Sequence, residues 1–374
     1  MAQLQQVIHW VASDEALARC CEQWQRASCL AVDTEFMRTD TYYPLPALIQ
    51  VNDGDANYLI DPVEIDQLDP LKAILSNPHI EKVFHACSED IEVFHRLFGC
   101  VPTPIFDTQI AAAFVGEGFS VGYANLSKSM LEIELPKGET RSNWLKRPLT
   151  EAQKSYAALD VEYLWQLKDL LKVRLDENER TVWVEQECRQ LTDNALQAQN
   201  PDYAINRFKS AWKLSAKSQH VLKNLSIWRE HLAQQKNKPR NHIVKEKALM
   251  SLAATLPQTI ADMADVEELN EALIHRYGED WLPFLTDQTV EQRVFLQKRP
   301  PSGEQKKQIS RMRDAVASLA QRLDIAPELL ARKKDFESIV FSLEDGVAPE
   351  ESLPSHFYDG WRQKIIAPAL MESL

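Results

Sequence analysis

The sequence predicts an α/β domain followed by an all-α remainder. Strand-like runs crowd the front of the chain and alternate there with helical patterns, which suggests a mixed sheet with helices on its faces. From about residue 123 onward the strand signals fade and apolar residues recur at helical spacing. Prolines then punctuate the helical part at Pro239, Pro257 and Pro300-Pro301, leaving helical modules over about 205–290 and 302–374.

Strands are expected at about 28–35, 46–52 and 57–60, with Asn52-Asp53-Gly54-Asp55 as the hairpin turn between the last two. A helix at about 68–76 precedes a short strand, Lys82-Val83-Phe84-His85. The next helix, about 88–98, has Ser88 as its expected N-cap and Glu89, Asp90 and Glu92 near its positive end. Ile105-Phe106-Asp107-Thr108 reads as a strand end feeding a helix through Phe114, with Asp107 as a cap. Thr150-Glu151-Ala152-Gln153 is a capping-box pattern opening a long helix to about 175. A second helix, about 178–198, stops at Asn200-Pro201.

At 374 residues the chain has room for two or three domains, and its 44% hydrophobic and 26% charged content is that of an ordinary globular protein. No stretch approaches the roughly 18 uncharged apolar residues of a membrane span, and the N-terminus lacks the pattern of a secretory signal. Cys20, Cys21, Cys29, Cys87, Cys100 and Cys188 show no CxxC spacing; they read as the reduced thiols of a cytoplasmic protein. No long exposed apolar repeat appears, so a monomer is expected. The net charge is −13, yet residues 201–250 hold eleven Lys/Arg against three acids, a local +8 that leaves −21 elsewhere. Such a segment suits either a polyanion contact or a solvated helix face.

Asp33 and Glu35 close the apolar run Cys29-Leu30-Ala31-Val32, and the period of two puts both on one strand face. A divalent cation would turn their repulsion into binding, although a solvated strand end has the same appearance. Asp90 near a helix start is equally suited to the helix dipole. Tyr156 and Asp160 stand four residues apart on one helix face. His85 reads as a satisfied strand-end residue. The segment 137–147 is a polar, basic loop in which Arg141, Lys146 and Arg147 could meet phosphates and Trp144 could stack on a base or pack the loop down. Lys236, Lys238 and Arg240 are the candidate polyanion contacts of the basic stretch.

Three segments in order carry a resemblance. Val32-Asp33-Thr34-Glu35-Phe36, the run from His85 to Phe94, and Tyr156-Ala157-Ala158-Leu159-Asp160-Val161 together resemble the DEDD superfamily of 3′–5′ exonucleases, specifically its ribonuclease D family. The resemblance covers most of residues 25–175; more loosely, the tail resembles the paired HRDC modules of that family. It implies a ribonuclease H-like exonuclease domain over 1–198 and HRDC-type domains over 205–290 and 302–374. It also implies Asp33, Glu35, Asp90 and Asp160 as ligands of two Mg²⁺ or Mn²⁺ ions, and Tyr156 as the residue that positions the nucleophile. The implied activity is trimming of RNA 3′ ends, with tRNA precursors as substrate class and nucleoside 5′-monophosphates as products. A DNA 3′–5′ exonuclease and a non-catalytic nucleic-acid binding protein are the alternatives.

Overall fold

The structure, a computed structural model, describes residues 6–136, 138, 142–197, 200–287, 289 and 296–374. Six strands, β1 (Val7–Val11), β2 (Cys29–Met37), β3 (Leu45–Asn52), β4 (Ala56–Ile60), β5 (Glu81–Phe84) and β6 (Ile105–Asp107), lie in the order β1-β4-β3-β2-β5-β6. Strand β3 runs antiparallel to both neighbours, and the other pairings are parallel. The sheet is therefore mixed, as the strand pattern predicts. Cys29, Leu30, Ala31 and Val32 are buried on both faces because β2 is central.

Helices cover both faces. In chain order these are α1 (Asp14–Trp24), α2 (Asp69–Leu75), α3 (Ser88–Phe98), α4 (Thr108–Phe114), α5 (Tyr123–Leu131), α6 (Glu151–Glu162), α7 (Leu164–Glu177) and α8 (Thr181–Gln197). One apolar cluster joins Leu30 and Val32 to α1, α2 and α3, and another joins Cys29 and Ala31 to α4, α7 and α8. A smaller one sets Ala157 and Ala158 of α6 against Leu48 and Leu59.

Three details depart from the sequence reading. The pair β1 and α1 was not legible: β1 is an edge strand with most of its residues exposed, so it lacks a clear alternating pattern. Ser88 is the first helical residue, and Cys87 takes the N-cap position without a side-chain bond. The helix opened by the Thr150–Gln153 capping box does form, but it stops at Glu162 and resumes at Leu164.

The described residues fall into two units. The first comprises residues up to Met37, Pro44–Ala195 and Pro301–Leu374; the second comprises Arg38–Tyr43 and Leu196–Pro300. The second unit has its own core around Leu222, Leu225, Leu249, Met263 and Trp281, built by α9 (Ala216–Lys236), α10 (Arg240–Ile243), α11 (Glu246–Thr255) and α12 (Glu271–Thr286). Residues 303–373 form α13 (Gly303–Leu323), α14 (Pro327–Leu330), α15 (Lys333–Glu344), α16 (Gly360–Ile365) and α17 (Ala367–Ser373). Their apolar side chains, among them Met312, Val316, Phe336, Trp361 and Leu370, join the cluster that already holds Phe114, Leu175, Val184 and Cys188.

Candidate active site

Strand β5 pairs with β2 only over Cys29–Ala31, so the later part of β2 projects beyond its parallel neighbour. Asp33 and Glu35 stand on that projecting part, opposite Gln50 and Leu48 of β3. Helix α6 packs over β2, β3 and β4 and brings Asp160 to the same place. Asp33, Glu35 and Asp160 each offer a carboxylate oxygen within 4.8 Å of the others. Asp90 arrives on the first turn of α3, buried, and accepts a hydrogen bond from the Thr34 hydroxyl. It stands beside that group of three, and its charge raises both Asp33 and Glu35. Tyr156 stands one turn from Asp160 on α6, close enough that each group shifts the other's ionisation.

The electrostatics are those of a crowded carboxylate cluster, whose mutual repulsion a bound cation would relieve. Burial first, then the charges of Asp90, Asp160 and Glu35, hold the Asp33 carboxyl well above the usual carboxylate range. Glu35 is pushed up to about 8 by burial and by Asp160 and Asp90. Burial raises Asp90 to about 7 against the opposing hydrogen bond from Thr34, and raises Asp160 to about 7 against that from Tyr156. The Tyr156 hydroxyl is shifted further from ionisation by burial and by Asp160 and Glu35. Hard oxygen donors at this spacing fit a divalent cation such as Mg²⁺ or Mn²⁺. Gln50, fully buried and in register with Asp33, has neither amide atom hydrogen-bonded, and a hydrated cation at this site would offer partners for such a group.

The other predicted residues divide. Lys146, Lys236 and Lys238 are exposed, and Lys236 Nζ lies 3.4 Å from the Tyr277 hydroxyl. Arg141 lies outside the described residues. Three expected substrate contacts are otherwise engaged. Arg147 spends its guanidinium on the fully buried Asp61 carboxylate, at 2.5 and 2.6 Å, and on the carbonyls of Trp144, Lys146 and Ala47. It anchors the loop, because a buried carboxylate without its cation would be strongly destabilising. Trp144 is 1% exposed, with its ring 6.1 Å from that of Tyr156, so it packs the loop down and is closed to a base. Arg240 is bound by the buried Glu230 at 2.5 and 2.6 Å and lies over the Tyr42 ring.

Smaller expectations fare well. Asp107 caps α4 by accepting from Gln109 and Ile110, and it also accepts from the Ala86 and Cys87 N–H groups. His85 is satisfied by the Thr108 hydroxyl and the Val121 carbonyl. Glu89 is exposed beside the buried Asp90.

A family model described as 3′–5′ exonuclease matches residues 8–176, and one described as HRDC domain matches residues 218–285. Ribonuclease D of Pseudomonas paraeruginosa is 39% identical over 98% of this chain and 97% of its own length. The chain belongs to the ribonuclease D family. Ribonuclease D of Escherichia coli is 34% identical over 96% of both chains. The crystal structure of the Escherichia coli enzyme, described as an exoribonuclease involved in structured RNA processing, matches with a TM-score of 0.88, covering 98% of both chains at 33% identity. A Bifidobacterium adolescentis protein shares the fold, at 19% identity and a TM-score of 0.66. As a ribonuclease D family member, the chain is a 3′–5′ exoribonuclease with one HRDC domain after its mixed α/β core.

Several residues around the site escaped the sequence reading. Gln50 sits mid-strand in an apolar run, and its polarity inside that run was the available signal. Thr34 points away from Asp33 and Glu35 and finds Asp90. Gly138 lies against the Tyr156 ring, where an added Cβ would stand 1.7 Å from Tyr156 Cε2. Its conformation is open to any residue, so close approach is what demands glycine.

Proposed function

We propose that this exoribonuclease trims the 3′ ends of structured RNAs, tRNA precursors above all, with two divalent cations held by Asp33, Glu35, Asp90 and Asp160. The observation that carries the reading is the convergence of Asp33, Glu35 and Asp160 within 4.8 Å, with Tyr156 one turn from Asp160 on α6. A pair of bound cations would lower the pKa of an attacking water and offset the charge that develops on the leaving 3′-oxygen. Asp33, which feels the charges of all three other carboxylates, would be among the residues holding the cations.

The chain's own groups have distinct tasks. Tyr156 stays neutral at physiological pH, since its hydroxyl is shifted further from ionisation, and so it cannot serve as the base. Its neutral hydroxyl, one turn from Asp160, would orient the water for in-line attack on the terminal phosphorus. Trp144 and Gly138 both lie against the ring of Tyr156. The P–O3′ bond breaks, its electron pair goes to the penultimate 3′-oxygen, and the terminal residue leaves as a nucleoside 5′-monophosphate.

The exposed Lys236 and Lys238 are assigned to RNA backbone contact, and Lys146 to phosphate near the site. Residues 302–374 are read as a second, divergent HRDC-type module. The support is a shared order of elements: α9 and α13 both run 21 residues and end in a left-handed cap, Asn237 or Asp324, before a four-residue helix. Cytoplasmic action as a monomer is proposed with it, and six free cysteines favour a reducing compartment. The test is digestion of a 3′-extended tRNA precursor and a matched DNA, with and without Mg²⁺ or Mn²⁺, identifying the products. Activity without added metal in the presence of chelator, or equal cleavage of DNA, would refute the corresponding part.

A further inference from the structure

Helix α6 breaks just beyond Asp160, and nothing in the local sequence requires it. Leu159-Asp160-Val161-Glu162-Tyr163-Leu164 contains neither proline nor glycine. An uninterrupted helix would join the Tyr163 N–H to the Leu159 carbonyl. Tyr123 stands in that gap: its hydroxyl accepts from the Tyr163 N–H at 3.2 Å and donates to the Leu159 carbonyl at 3.0 Å. A side chain inserted into the helical ladder is a recognised cause of a break. Tyr163 accordingly takes φ −109° and ψ 5°, and α7 begins at the next residue.

Both sides of the gap are fixed. Tyr123 is pinned through the Val121 carbonyl, which accepts from His85 Nε2 and Gln109 Nε2 at 3.0 Å each. Beyond the break, Leu164, Leu167 and Leu171 are locked in the core, and Trp165 Nε1 donates to the Asn52 carbonyl at 3.1 Å. The last turn of α6, which carries Asp160, is held at its end by the buried Glu162, whose carboxylate accepts from the Gln6 N–H at 3.1 Å and from Asn57 Nδ2, so the inserted Tyr123 hydroxyl acts between two anchored stretches. We propose that Tyr123 is a positioning residue for hydrolysis. By occupying the Leu159–Tyr163 hydrogen bond it sets where that last turn ends and where the Asp160 carboxylate stands. The negative charges of Asp160 and Asp33 are felt at the Tyr123 hydroxyl, which burial already holds neutral. The inference rests on Asp160 being a metal ligand.

The test is Tyr123→Phe, which keeps the ring and lets the two released backbone groups bond each other. Mn²⁺ binding is read by electron paramagnetic resonance in wild type, Tyr123→Phe, Asp160→Asn and the double variant, beside kcat and KM on a 3′-extended RNA. Tyr123→Phe should weaken Mn²⁺ about tenfold, as loss of a ligand's supporting shell commonly does, and lower kcat about tenfold with KM little changed. Its melting midpoint should stay within about 3 °C of wild type. In the Asp160→Asn background Tyr123→Phe should weaken Mn²⁺ no further. Unchanged Mn²⁺ affinity and kcat beside a lowered midpoint would make Tyr123 merely structural and overturn the proposal, as would full additivity in the double variant. Wild-type Mn²⁺ affinity in Asp160→Asn would instead overturn the ligand assignment beneath it.

Discussion

Residues 216–286 and 303–373 both open with a 21-residue helix, a four-residue helix and a third of 10 or 12 residues, yet their apolar faces have different fates. The first group closes on itself: Trp281 is fully buried among Leu222, Leu225, Leu249 and Met263, all within one unit. The second group closes on the nuclease fold. Trp361 stacks on Trp183 with ring centroids 4.6 Å apart and meets Phe114 edge-on at 5.5 Å. Arg362 grips both carboxylate oxygens of Glu187, and Arg180 bonds the carbonyls of Phe114 and Leu323 at 2.6 and 2.5 Å. A helical module is thus autonomous or dependent according to which surface its apolar stripe finds, and the stripe alone does not tell which.

The contrast bears on the candidate site, since Asp33, Glu35, Asp90 and Asp160 all lie in the unit that has absorbed its helices. Asp33→Asn or Asp160→Asn should lower kcat by more than about 1,000-fold while far-ultraviolet circular dichroism is unchanged. Substantial activity in either variant would end the carboxylate assignment. Next in size, Trp361→Ala and Trp281→Ala should each cost about 3–5 kcal/mol, but in different units. Chemical denaturation followed by nuclease activity on a short unstructured RNA separates them: Trp361→Ala should lose activity at lower denaturant, whereas Trp281→Ala should not. Equal loss would mean that the two helical groups are equally tied to the site.

A smaller effect lies in pH. Glu35, Asp90 and Asp160 are raised to about 8, 7 and 7, so between about pH 4 and 8 the folded metal-free protein holds protons that the unfolded chain has released. Stability must therefore fall as pH rises through that window. The melting midpoint without metal should drop by several degrees from pH 5.5 to 8, and Mg²⁺ or Mn²⁺ should restore it. A midpoint that climbs over this range would contradict the charge balance described above. Smallest of all, replacing Lys236 and Lys238 with alanine should raise KM for structured RNA a few-fold and reduce its salt slope by about 2, leaving kcat alone. An unaltered slope would return those lysines to the solvated surface.

Much of the nuclease fold was legible because its signals are local. The Asp33–Glu35 spacing, the turn at Asn52–Asp55, the capping box at Thr150 and the cap at Asp107 each depend on residues within a few positions. What was hidden depends on distant partners. The break at Tyr163 comes from a hydroxyl forty positions upstream, at Tyr123. Arg147 and Arg240 announce a positive charge, but only the folded chain shows that Asp61 and Glu230 claim them. Asp90 reads as an ordinary first-turn acid until β2 and its Thr34 are set beside it.

The division of the chain also constrains how it is made. The first unit is interrupted after Ala195 and resumes at Pro301, with the HRDC-bearing segment between. At a synthesis rate of about 5–20 residues per second, that segment takes about 5–20 s to emerge. Helical bundles of local contacts fold in about microseconds to milliseconds, so the inserted unit can reach its final state long before Met312 or Leu370 exists. Throughout that wait Phe114, Val184 and Trp183 lack the side chains that will cover them. The nascent nuclease is then an unfinished surface open to chaperones and to aggregation until the helices beyond residue 303 reach it.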